Sequence, residues 1–203
     1  MPATVIRTLG VRGIQRLGRL PIAASQTWNA GDYLALNSTG QLIVALAVGN
    51  DYPAYSSGLT NLIVGRATED AQPATNDVTI VPTVKLYGEF IIAEPGTQFE
   101  LPVYHATATS AYPVLNQLTV AYNFSFRTIT NNPVWCINIA SSSAPVVQIQ
   151  DFVPDYLLSN GYPDCGQTAL PTTGTLAQYG SAWGEFLGGA CAFTTARPIT
   201  RTN

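Results

Sequence analysis

Apolar and polar residues alternate in short runs along most of this chain, and Gly, Pro, Asn, Asp, Ser or Thr closes each run. A period of two sends successive side chains to opposite faces of a strand, so the pattern predicts strands with a buried face. The runs are Tyr33–Leu36, Gln41–Val48, Leu62–Ala67, Val78–Val84, Leu86–Ile92, Phe99–His105, Thr119–Phe126, Val134–Ile139 and Val146–Ile149. The period of an amphipathic helix is almost absent after residue 20. Many short strands punctuated by turn residues predict an all-β fold, a compact β-sandwich or small β-barrel.

The clearest local unit runs from Gly31-Asp32 to Val44. Two strand-like runs flank Asn37-Ser38-Thr39-Gly40. Asn and Ser side chains favour a turn by bonding nearby backbone, and Gly40 supplies the left-handed conformation a four-residue hairpin loop often needs. Gly31, Asp32 and Gly40 are therefore read as structural turn residues. A second unit, Ile63 to Ala71, is followed by the turn-rich Gln72–Asp77. Pro82 lies in the next run, and a residue with no N–H to donate puts that strand at an edge or in a bulge.

The ends read differently. Residues 1–27 are acid-free, and Gly10, Gly13 and Gly18 oppose a helix there. They are expected to form a partly extended basic arm that orders against a partner. A secretory signal needs roughly 7–15 unbroken apolar residues, and Arg12, Arg16 and Arg19 interrupt this stretch. Residues 28–150 form the expected β-rich core. Residues 151–203, rich in Gly, Thr and Pro, form an irregular extension whose Tyr156, Tyr162, Tyr179, Trp183, Phe186 and Phe193 should dock on the domain or a neighbour.

Charge sharpens this picture. Charged residues make up 10% of the chain, against roughly 25% in an average soluble domain. Residues 1–31 carry +4 through Arg7, Arg12, Arg16 and Arg19, and the remainder carries −7. A free monomer with so few ions is poorly protected against self-association, whereas a subunit covered by neighbours needs no such protection. Four arginines alone are too few for a specific nucleic-acid binder, and the acidic body would oppose one. They suit bidentate contacts to an acidic protein surface. No apolar run approaches the ~20 residues of a transmembrane helix.

Three stretches resemble the head-decoration, or cement, proteins of tailed bacteriophages. They are Ala30–Leu36 leading into Gly40–Ile43, Val64–Ala71 with the following Asn76–Ile80, and Val103–Thr107 before a polar turn. The similarity covers roughly residues 28–125. It implies a β-rich core, a homotrimer, and a place on the capsid exterior where major capsid protein subunits meet. The implied role is to reinforce the shell, without catalysis, in a protein made in the host cytoplasm.

An enzyme would need a constellation of reactive groups. The one histidine, His105, sits on an expected strand, and Cys165 is the least unfavourable nucleophile. Glu69 and Asp70 would point to opposite faces of a strand, and Asp151 and Asp155 flank a turn. No metal-ligand spacing or phosphate loop stands out, so no cofactor or metal is expected. The cysteines, Cys136, Cys165 and Cys191, are widely spaced, which leaves a Cys165–Cys191 bond or reduced thiols open. The alternative function is a carbohydrate-binding or host-attachment module of a virion, with Trp28, Trp135 and Trp183 as its aromatic resource. A minor hydrolase is a third reading. On the decoration reading, removal of residues 1–20 weakens attachment to shells.

Overall fold

The computed structural model describes residues 10–47, 49–52, 62–71, 86–104, 118–129, 132–153 and 181–193. Among them there is no helix, and the fold is all-β. In chain order the strands are β1 (Val11–Gly13), β2 (Leu17–Pro21), β3 (Tyr33–Leu36), β4 (Leu42–Val44), β5 (Asn50–Asp51), β6 (Ile63–Ala67), β7 (Tyr87–Ile92), β8 (Thr97–Tyr104), β9 (Ala121–Ile129), β10 (Asn132–Asn138), β11 (Val147–Phe152) and β12 (Ser181–Phe186).

Two sheets pack in a sandwich-like arrangement, and each curls on itself. The seven-stranded sheet follows the order β1-β8-β10-β9-β11-β12, with β5 beside β9. Because β12 also pairs with β8 from Ser181↔Pro102 to Glu185↔Gln98, the path closes back on β8. The five-stranded sheet runs β2-β7-β6-β3-β4. A bridge between Ile22 and Leu42 brings its two ends together. Curling in this way leaves few unpaired strand edges.

Two apolar cores result. The larger lies within the seven-stranded sheet and gathers Phe99, Leu101, Val103, Phe124, Trp135, Ile137, Val147, Ile149, Ala182 and Phe186. The smaller lies within the five-stranded sheet and holds Trp28, Leu34, Leu36, Leu42, Val64 and Phe90. Strand β3 serves both. Tyr33 joins the larger core and Leu34 and Leu36 the smaller, so all four of its residues are buried. The Tyr33 ring meets Phe99, Phe124 and Trp135 edge-on, with centroids 5.5, 4.9 and 5.5 Å away. Edge-to-face contacts of this kind add to the gain from burial.

The hairpin expected from Gly31 to Val44 is present: Leu34 pairs with Val44 and Leu36 with Leu42. Asn37 Oδ1 accepts the backbone N–H groups of Thr39 (3.0 Å) and Gln41 (2.8 Å), and Gly40 has φ +77°. Expected strands over 33–36, 62–67, 86–92, 99–105, 119–126, 134–139 and 146–149 match β3 and β6–β11 within a few residues. The run Gln41–Val48 shortens to β4, and the run with Pro82 lies outside the described residues.

At the two ends strands reach into segments where the pattern predicts none. Residues 11–21 of the N-terminal segment pair within their own chain. Strand β1 pairs with β8 and β2 with β7, so one segment staples both sheets of its own chain. The sheets likewise continue past residue 150. Strand β11 reaches Phe152, and β12 inserts between β11 and β8. The inward positions of β12 are Ala182, Gly184 and Phe186, and at Gly184 an added Cβ would lie 2.7 Å from Val147, 3.2 Å from Leu101 and 3.3 Å from Ile137. Cys191 is a buried free thiol, and Cys165 lies outside the described residues.

At Gly65 there is no room for a side chain between β6 and β7. This glycine has φ +152°, and an added Cβ would lie 1.8 Å from the Ile91 carbonyl oxygen. At Gly40 an added Cβ meets nothing within 4 Å, so the cost there is conformational alone. Gly40→Val is expected to cost about 1–2 kcal/mol. Gly65→Ala, by forcing backbone apart, should cost more than about 3 kcal/mol. Chemical denaturation of the two variants measures the order.

Candidate interaction surface

The described arginines of the N-terminal segment sit along β1, β2 and their connection, and each contacts its own chain. Arg12 donates from Nε to Gln98 Oε1 (2.6 Å) and from a terminal nitrogen to Asp151 Oδ2 (2.9 Å). Its guanidinium lies 4.5 Å from the centre of the Trp183 ring. Arg16 Nε is 3.1 Å from Glu94 Oε1, an ion contact angled away from a hydrogen bond. Arg19 lies over Tyr87, 5.4 Å from the ring centre. Arg7 lies outside the described residues. A guanidinium over an aromatic face is held by the ring quadrupole. The arginines singled out as partner contacts thus also hold the segment onto its own sheets.

Gly31 and Asp32 tie the two sheets together. Gly31 has φ +100°, and the Asp32 carboxylate accepts the N–H of Asn29 (2.8 Å) on one oxygen and Trp135 Nε1–H (2.8 Å) on the other. Trp135 belongs to β10, so this bond crosses from one sheet to the other. The neighbouring pair is also structural. Asp70 Oδ1 accepts the N–H of Ala30, and the Glu69 carbonyl accepts Trp28 Nε1–H.

A polar centre absent from the sequence reading forms outside the larger core. Asp51 on β5 accepts hydrogen bonds from Ser125 Oγ, an Arg127 terminal nitrogen and Asn138 Nδ2, the last at 3.3 Å. Cys136 lies buried beneath it and donates to the Ser125 carbonyl. Burial alone would raise the Asp51 carboxyl, but the three donors and the Arg127 charge outweigh it and hold it below the usual range. Burial pushes the Cys136 thiol up, which suppresses its reactive thiolate. Burial and the nearby Glu185 charge push Cys191 up to about 12. The arrangement clamps three strands through one carboxylate oxygen.

The aromatic resource is also enclosed. Trp28 and Trp135 are buried, and Arg12 and Gly10 lie against Trp183. His105 and Cys165 lie outside the described residues. Several large apolar side chains are open to solvent: Leu17 is 63% exposed, Leu86 66%, Ile14 49% and Tyr87 45%. Leu17 and Tyr87 share the outward face of the β2–β7 pair, with Arg19 and Glu89 between them. The run Leu86–Ile92 was legible as a strand, but that its outer face is uncovered was not.

No protein-family model, no curated protein and no solved structure matches this chain.

The Asp51 cluster sets a pH response. A carboxyl held low in the folded state contributes stability that is complete above its unfolded value and lost as pH falls through the folded one. Wild-type stability should therefore fall below about pH 4. Asp51→Asn should be less stable at neutral pH and show a shallower loss in that acidic window, as read by urea denaturation across pH.

Proposed function

We propose that this chain is a structural virion subunit that binds the outer surface of a tailed-bacteriophage capsid at capsomer junctions and reinforces the shell. Its partners are the major capsid protein and further copies of itself, gathered about a threefold axis. The reading rests on one observation above the rest: a chain poor in charge turns much of that charge onto its own fold. Arg12 meets Asp151, Arg16 meets Glu94, Arg127 meets Asp51, Asp32 takes the Trp135 N–H, and Glu100 takes the Gly10 N–H. Exposed leucines remain beside a thinly charged surface. Such a surface calls for cover by protein. A shell presenting many equivalent sites supplies that cover, and multivalent attachment makes weak contacts sufficient.

The test is co-sedimentation of the purified chain with empty capsids. Removing residues 1–20 is no longer a clean version of it, because that deletion takes away β1 and most of β2. The intact chain should pellet with shells and raise their melting temperature. Retention in the supernatant, together with binding to a glycan array, would overturn the reading in favour of a carbohydrate-binding module.

A further inference from the structure

The outward face of β2 and the first half of β7 has a composition that fits a second copy of itself. Gly18, Leu20, Gly88 and Phe90 point inward, which leaves Leu17, Arg19 and Pro21 outward on β2 and Tyr87 and Glu89 outward on β7. The antiparallel register sets Arg19 opposite Glu89 and Pro21 opposite Tyr87. One cation and one anion therefore lie side by side at the middle of the face, with apolar groups before and after them. The Arg19 guanidinium rests on Tyr87, and among the described residues no carboxylate is paired with it. Glu89 accepts a single side-chain bond, from Thr68 Oγ1 at 3.2 Å.

A face bearing one sign of charge would repel its own copy. This face carries both signs, on adjacent strands. Rotation by a half-turn about an axis running along the strands, midway between them, lays β2 of one copy on β7 of the other. Arg19 then faces Glu89 of the second copy, Glu89 faces its Arg19, and Pro21 and Tyr87 exchange in the same way. We propose that the β2–β7 face is a two-fold contact between copies of this chain, closed by two reciprocal Arg19–Glu89 pairs within an apolar surround. The contact is isologous, since each copy supplies the same surface. Displacing water from the surround strengthens the arginine–carboxylate bonds, while each guanidinium keeps its aromatic support. A face two strands wide is well below the about 800 Å² per partner of a standard interface. The isolated pair is therefore weak, with a dissociation constant of about 100 µM. Neither shell binding nor threefold closure is assumed.

Charge reversal separates contact between copies from contact within one. Arg19→Glu gives a face with two anions, and Glu89→Arg gives a face with two cations. Each alone should associate at least about tenfold more weakly than wild type in sedimentation equilibrium. Mixed in equal amounts, they should associate with each other to within about threefold of wild type, because both cross-pairs are then restored. Pairing within a single chain cannot produce that recovery. Leu17→Gln alters an exposed position on this face and should weaken association while its thermal melt stays near wild type. It carries the test if a reversal variant does not fold. A wild-type chain that stays monomeric at millimolar concentration overturns the proposal, as does a mixture no stronger than its components. If Leu17→Gln reduces pelleting with shells while wild type shows no self-association, the face belongs to the capsid and the two-fold contact is wrong.

Discussion

The fold depends on β3 and β6 being buried on both faces. In most antiparallel sheets one face meets water, and alternation keeps polar residues there. Here β3 sends Tyr33 into one core and Leu34 and Leu36 into the other, while β6 sends Ile63 to the first and Val64 and Ala67 to the second. Two curled sheets can therefore share one wall. The Asp32–Trp135 hydrogen bond fixes that wall against β10, and the bulge between Leu34 and Ala35 bends β3 where Gly65 lets the backbones close. A charged or bulky residue on either face of β3 would disturb both cores at once.

The same economy governs the polar groups. Curled sheets satisfy backbone groups by pairing, and several buried polar side chains are tied to specific partners. Asn123 Oδ1 accepts the Ala144 N–H and its Nδ2 donates to Ser141 Oγ, while Asp51 gathers Ser125, Arg127 and Asn138. A carboxylate oxygen held by three donors fastens β5, β9 and β10 to one another.

How much of this was legible along the chain depends on range. The β3–β4 hairpin was readable because Asn37 and Gly40 act within a few residues of the turn they make. Strands β6 to β11 were readable because their buried positions are large and apolar. By contrast β1, β2 and β12 carry Gly, Ala or Arg at many positions, so their alternation is faint, and their pairing partners lie far away in the chain. The arginines were visible as a group, but whether Arg12 would meet a partner or Trp183 and Asp151 depended on residues more than a hundred positions distant.

Local chemistry thus determined the class of fold, the turn at Asn37–Gly40, and a low charge count. Those properties follow from residues acting on their immediate neighbours or simply summed. Tertiary structure decided that the basic segment is a staple, that Asp51 sits among Ser125, Arg127 and Asn138, and that Leu17 and Tyr87 face outward around Arg19 and Glu89. Which face of a strand is covered depends on what the rest of the chain lays over it, and an alternating pattern names two faces without saying which of them meets water.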